Sequence, residues 1–292
     1  MKIGVSAFAW TSEFNESHYK LLPEIREHGL CALEIPMFEP HRISALNLRR
    51  AMETNDLECT VCAILPAAIN PISADASVRS RSYTHLVECV EKAAEIDAKL
   101  LGGPLFAPIG YLPGRRRNQD EWNSAVETFQ RLGDALDANK ITLTIEPVNR
   151  SETFFLRTAM EAKALCNAIA HPRVGITLDT FHANIEEKSI PDAVISLGSS
   201  LKHFHASEND RGLLGSGHIN FPAIIEALQG SNYDGYLMIE GFGYSPNEPD
   251  ALGALWGDLS VSPEDIAFAG ATYLASLLGR SRTSTTLPGN LS

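Results

Sequence analysis

The stretch Ile141–Glu152, ITLTIEPVNRSE, decides how the rest of the chain is read. Its first half alternates β-branched and apolar residues, as a buried strand does. It stops on a carboxylate, Glu146, followed at once by Pro147, which has no N–H to give a central ladder. A glutamate where an apolar strand runs out into a Pro-containing loop is poorly explained as core. Three later strand candidates end in the same manner: Val174–Asp179 on Asp179, Leu201–His205 on His205, and Gly235–Glu240 on Glu240.

Upstream, four more short apolar runs read as strands: Lys2–Phe8, Ala32–Ile35, Glu58–Ile64 and Lys99–Gly102. Helical patterns fill the intervals, over His18–Glu27, Ile43–Thr54, Val78–Ile96, Glu121–Ala138, Thr158–Ala168, Asp192–Leu197, Phe221–Leu228 and Pro263–Leu278. In Glu121–Ala138 the residues Trp122, Val126, Phe129, Leu132 and Leu136 form one apolar stripe. Gly29 suits a C-cap, and Thr158 and Ser262 suit N-caps. Eight strand–helix repeats predict a single-domain (β/α)8 TIM barrel over residues 1–279, a fold that usually takes about 250 residues. The last residues, 280–292, rich in Ser and Thr, read as a flexible tail. A doubly wound open sheet is the alternative fold. It would carry a Gly-rich phosphate loop after the first strand, where this chain has SAFAWTSEF.

Composition narrows the function classes. With 44% hydrophobic and 21% charged residues, the chain has an ordinary globular balance. A net charge of −12 opposes a nucleic-acid partner, which wants a clustered basic face. The one dense basic run, Arg115–Arg117, reads as a solvated or interface loop. No apolar run approaches the roughly 20 residues of a membrane span. The N-terminal run Ile3–Trp10 has a strand's length and no small-residue cleavage site after it, so no signal peptide is expected. Five cysteines, an odd count, suggest reduced thiols and a cytoplasmic protein. Cys59 and Cys62 match C-x-x-C, but in the strand-like CTVCAI residues three apart face opposite sides, against a redox turn.

The four strand-end residues are 33, 26 and 35 positions apart, about one strand–helix unit each. Barrel closure would gather them at the C-terminal mouth. Three carboxylates and an imidazole there would repel one another without a cation between them. Oxygen-rich ligation with one nitrogen suits Mn2+ or Mg2+, with Co2+ a plausible substitute and Zn2+ less favoured. His203 points to the same side of its strand as His205, and spacing does not choose between them.

The segments IEPVNRSE, ITLDTFHANIEEKS, KHFHASENDRGLLGSGHINF and YDGYLMIE resemble the ketose 3-epimerases, the D-tagatose and D-psicose (allulose) 3-epimerase family of xylose-isomerase-like barrels. The likeness is specific in the second half of the chain and looser in the first. It implies a Mn2+- or Co2+-dependent isomerase acting at C3 of a free ketose, in a homodimer or homotetramer. The family's metal ligands fall on Glu146, Asp179, His205 and Glu240, and its acid/base pair on Glu146 and Glu240. Its anchors for the keto end of the sugar fall on Glu152, His182 and Arg211, with Asn184 and Glu208 as outer supports. Epimerisation by way of a metal-stabilised cis-enediolate needs two carboxylates flanking C3.

Departures from the family concentrate in the pocket wall. Ser6 and Ala7 stand where an aromatic pair is usual, with Trp10 and Phe14 further on. Gly241-Phe242-Gly243 replaces the Pro-Phe that follows the last glutamate, and Gly257 in WGDLS replaces an arginine. The same α-proton chemistry would also serve an aldose–ketose isomerase, an inosose-type dehydratase or an eliminating 3-keto-glycoside enzyme. Apurinic endonucleases of related fold need more histidines and a cationic surface. A sugar- or metal-binding module without catalysis would not need both base carboxylates.

Overall fold

The computed structural model describes residues 1–242 and 261–279. Eight parallel strands close on themselves in sequence order. They are β1 (Lys2–Ser6), β2 (Ala32–Met37), β3 (Glu58–Ala63), β4 (Leu100–Gly103), β5 (Thr142–Ile145), β6 (Val174–Asp179), β7 (Leu201–Ala206) and β8 (Tyr236–Ile239). Closure is made by β1 on β8, with Lys2 opposite Tyr236 and Val5 opposite Ile239. The expected barrel is therefore the observed one, each strand within a few residues of its predicted range. Tail residues 280–292, Gly243 and the Trp256–Ser260 segment lie outside the described residues.

Helices pack around the barrel through the stripes read in the sequence. Phe129, Leu132 and Leu136 are fully buried, each such side chain contributing about 1.5–3 kcal/mol. Three elements differ from expectation. The Glu121–Ala138 helix is two, Gln119–Arg131 and Gly133–Asn139, which meet at Leu132. The first helix begins as a 3-10 segment, Glu16–Leu21, with a capping box at Asn15, before the α-helix Leu22–Glu27. A further helix, Thr180–Glu186, starts directly from β6, and Asp179 caps it by accepting from the N–H groups of Phe181 and His182. Thr158 and Ser262 do cap their helices, at Glu161 N and Asp265 N.

The barrel's interior is unusually polar. TIM barrels generally fill with branched aliphatic layers. Here Glu34, Thr60, Thr144, Thr177 and His203 are all buried. Thr177 donates to Thr144 at 2.7 Å, and Gly102 leaves them room: a Cβ there would lie 2.7 Å from the Thr144 hydroxyl. On β5, β6 and β7 this layer, at Thr144, Thr177 and His203, lies two residues before Glu146, Asp179 and His205.

Candidate active site at the barrel mouth

The four strand-end residues meet. Glu146 and Glu240 sit one residue beyond β5 and β8, each still tied to its neighbour, through Glu146 N to Gly103 O and Glu240 N to Ala206 O, both 3.0 Å. Asp179 and His205 lie opposite one another in the β6–β7 register. One donor atom from each of the four lies within 4.8 Å of those of the others, and all four side chains are buried. The nitrogen facing the group is His205 Nδ1, 3.4 Å from Glu146 Oε1, 3.4 Å from Glu240 Oε2 and 3.8 Å from Asp179 Oδ2. It has no hydrogen-bond partner in the protein.

Burial pushes the carboxyls of Glu146 and Glu240 above the ordinary glutamate range. Burial acts on Asp179 in the same direction. There Arg211, with His182 and His205 behind it, more than offsets burial and holds the acid well below its usual range. Three close carboxylates and a buried ring nitrogen without a partner are a donor set for a hard or borderline divalent ion. The residues therefore fit the metal that the sequence implies.

Arg211 borders this cluster. Its Nη1 donates to Asp179 Oδ2 and Glu240 Oε2, each at 2.6 Å, and to Ser207 Oγ at 2.8 Å. The guanidinium lies between the rings of Phe181 and Phe242, 4.3 and 4.9 Å from their centroids. Its backbone is left-handed, φ 62°, which a non-glycine residue adopts at a cost. The loop that enforces this is tied down by Glu208, whose buried carboxylate accepts from the N–H groups of Asn209, Gly215 and Ile219. Asn184 meets His218 at 3.2 Å, on the flank of the same loop.

His182 and Glu152 complete the ring of polar groups, and Asn149 positions both. Its backbone N–H and side-chain amide lie 3.2 and 2.9 Å from His182 Nδ1, and its amide donates to Glu152 Oε1 at 2.7 Å. Nδ1 accepts from the Asn149 N–H, and on the opposite edge of the ring Nε2 lies 3.1 Å from Arg211 Nη2, which can only donate. All seven predicted residues thus share one mouth. The sequence reading passed over Asn149, whose type signals a turn as readily as a site. It also passed over Glu34, although a glutamate inside the apolar run ALEIPM was itself a signal.

Above the polar groups opens a cavity of about 430 Å3, walled by Phe8, Phe38, Ile64, Pro104, Ile109 and Phe242. Ser6 and Ala7 leave no aromatic at their own positions, but Phe8, one residue on, turns into the pocket and meets Phe38 and Phe242 edge to face. Trp10 instead packs on Phe268 and donates to Glu264, and Phe14 stacks on His18. Gly241 is required where the family has proline: a Cβ would lie 2.6 Å from Arg211 O. Pro104 and Ile109 bring the loop after β4 into the wall. Its basic run stays outside, with Arg115 paired to Glu121, and Arg117 to Glu161 and Phe155 O. All five cysteines are free, and no helix among the described residues is long and apolar enough to cross a membrane.

A closed barrel with a buried cluster of carboxylates and a histidine that could hold a metal at its C-terminal mouth defines a class, and the chain belongs to it. Residues 22–258 match the family model described as xylose isomerase-like TIM barrel. Within that family its relatives are ketose 3-epimerases. The chain is 28% identical to a probable ketose 3-epimerase from Synechocystis sp., over 94% of this chain and 96% of that one. It is 29% identical to a D-psicose 3-epimerase from Agrobacterium fabrum, over 89% and 91%. The crystal structure of D-psicose 3-epimerase with D-tagatose from Clostridium cellulolyticum H10 superposes with a TM-score of 0.85 at 25% identity, covering 96% of this chain and 99% of that one.

Proposed function

We propose that this protein is a metal-dependent ketose 3-epimerase, with Glu146 and Glu240 as its acid/base pair. The observation that carries this is the meeting of the two glutamates: each lies 3.4 Å from the same His205 nitrogen, in a pocket whose other polar groups are Glu152, His182 and Arg211. A divalent ion held by Glu146, Asp179, His205 and Glu240 supplies polarisation of the ketose oxygens and compensates negative charge. Mn2+ suits this donor set, with Co2+ or Mg2+ as substitutes.

The remaining work falls to the chain. One glutamate removes the proton from C3. The C–H electron pair becomes the C2–C3 double bond, and the carbonyl pair moves to O2. The second glutamate returns a proton to C3 from the opposite face, and the pair on O2 re-forms the carbonyl. Burial supports both steps, because it raises the affinity of these carboxylates for a proton. Arg211 is a donor suited to the developing charge at the keto end, with His182 beside it, and its fixed position lowers the cost of reorganisation. Glu152 accepts from a sugar hydroxyl. The apolar wall keeps bulk water from the enediolate.

The substrate in this reading is a free ketose of the D-tagatose, D-psicose, D-fructose or L-ribulose type. The protein acts in the cytoplasm as a homodimer or homotetramer. The test is incubation of Mn2+-loaded protein with these four ketoses in D2O, followed by NMR. Deuterium at C3 and the C3 epimer are expected. No exchange with any of them refutes the reading, and a C1 aldehyde or loss of water assigns the site to isomerisation or dehydration instead.

A further inference from the structure

Beneath the mouth, Glu34 is buried at mid-strand in β2, with 0% of its surface exposed. It has no counterpart in the chemistry above. Burying a carboxylate is costly without partners, so the groups that face it explain its place. Its Oε2 lies 2.7 Å from His203 Nε2 and accepts from Thr60 Oγ1 at 3.2 Å. Its Oε1 lies 3.1 Å from His205 Nε2. The two imidazoles stand edge to face, 5.0 Å apart. Each oxygen of one carboxylate is thus turned toward one histidine.

His205 has two ring nitrogens with opposite tasks. Nδ1 faces Glu146, Asp179 and Glu240, and as a metal ligand it must offer a bare lone pair. A neutral imidazole does so when its proton is on Nε2. Glu34 Oε1 lies on that side, 3.1 Å away, and has no other hydrogen-bond partner. The oxygen and the nitrogen are off the line of a good hydrogen bond, and neither has another hydrogen-bond partner in the protein. His203 and Thr60 hold the other oxygen, which prevents the carboxylate from turning away.

We propose that Glu34 is the positioning residue of the metal site: it keeps the His205 proton on Nε2 and aims Nδ1 at the three carboxylates, with His203 bracing Glu34 from below. This rests on the metal-site reading above and deepens it. Carboxylate partners of metal-bound histidines elsewhere are worth about 10- to 100-fold in metal affinity. Glutamine cannot replace Glu34, because it has one acceptor oxygen for two histidine N–H groups, and its amide would set a donor against the other.

Two measurements test it. In histidine-15N-labelled wild-type protein loaded with diamagnetic Mg2+, long-range 1H–15N correlations report which nitrogen of His205 carries the proton. Nε2 is expected, and a proton on Nδ1 overturns the proposal without any variant. Calorimetric titration with Mn2+ then compares wild type, Glu34→Gln and Thr177→Val, whose hydroxyl bonds Thr144 and not Glu34, with circular dichroism confirming the fold. Glu34→Gln is expected to weaken Mn2+ binding by about 10- to 100-fold, the usual range for the loss of such a partner, whereas Thr177→Val leaves it within about threefold. A folded Glu34→Gln protein that binds Mn2+ as wild type does overturns the role of Glu34 and leaves the metal site standing. Wild-type protein that binds no Mn2+ removes the metal site itself, and this proposal with it.

Discussion

Replacing Glu208 with glutamine tests what seats Arg211 without changing a residue of the carboxylate–histidine cluster. The carboxylate takes three backbone donors: Oε1 accepts from Asn209 N at 3.1 Å and Ile219 N at 3.2 Å, and Oε2 from Gly215 N at 2.9 Å. Gly217 runs so close that a Cβ would lie 2.5 Å from Oε1, so the loop has no slack to adjust. Glutamine has the same shape but one acceptor. In its better orientation it keeps the Oε1 pair and sets an NH2 against the N–H of Gly215. Losing one hydrogen bond to a charged group costs about 1.5–3 kcal/mol. Opening of the loop becomes more favourable by that amount, a factor of about 10 to 150 at 1.4 kcal/mol per tenfold. Amide hydrogen exchange at Gly215 and Ile219 should quicken by that factor. Turnover should fall as Arg211 is displaced from the pocket. Exchange at both amides within about threefold of wild type would refute the claim that Glu208 holds this loop.

Two other expectations follow from the same site. Mn2+ at 100 times its dissociation constant should add about 2.7 kcal/mol of stability. For a chain of 292 residues that is a rise in Tm of about 4 °C, reversed by EDTA and absent in Glu146→Ala; no shift in wild type would remove the metal. His182 is held neutral, its pKa pushed down to about 3 by burial, with Asp179 opposing and Arg211 adding to the effect. The unfolded chain takes up this proton near pH 6.5 and the folded one does not. The stability tied to neutral His182 is therefore intact above pH 6.5 and lost as pH falls, at up to about 1.4 kcal/mol per unit. The advantage of wild type over His182→Asn in urea unfolding should shrink by about 2 kcal/mol between pH 7 and pH 5; a constant gap would show that the histidine is not held neutral.

The barrel was legible because its strands are short, apolar and evenly spaced, and the mouth because four ligand-type residues stop four consecutive strands. What escaped the reading had a local disguise. Asp179 terminates β6 and caps the next helix with the same side chain. Read as a ligand, it hid the helix Thr180–Glu186. Glu34 sits inside an apolar strand, where its meaning depends on His203 and His205, 169 and 171 positions away. Asn149 looks like a turn residue until its two amide donors are seen reaching His182 and Glu152. Phe8 was placed in a strand, whereas β1 ends at Ser6 and a 3-10 turn swings the ring into the cavity. For Glu34 and Asn149 the information lay in contacts with residues far along the chain, which periodicity does not carry.

The mouth is divided along the barrel's circumference. The groups proposed to react hang from β5, β6, β7 and β8, while most of the facing wall comes from the ends of β1 to β4, through Phe8, Phe38, Ile64, Pro104 and Ile109, with Phe242 added from the end of β8. In this reading reactivity and selectivity belong largely to different half-barrels, joined at the β4–β5 and β8–β1 seams. A change of diet need not put the chemistry at risk: loops on the first half can be exchanged, lengthened or recoloured with polar residues while the second half continues to move its proton. For a laboratory seeking new rare sugars, the first half is the dial and the second half the engine.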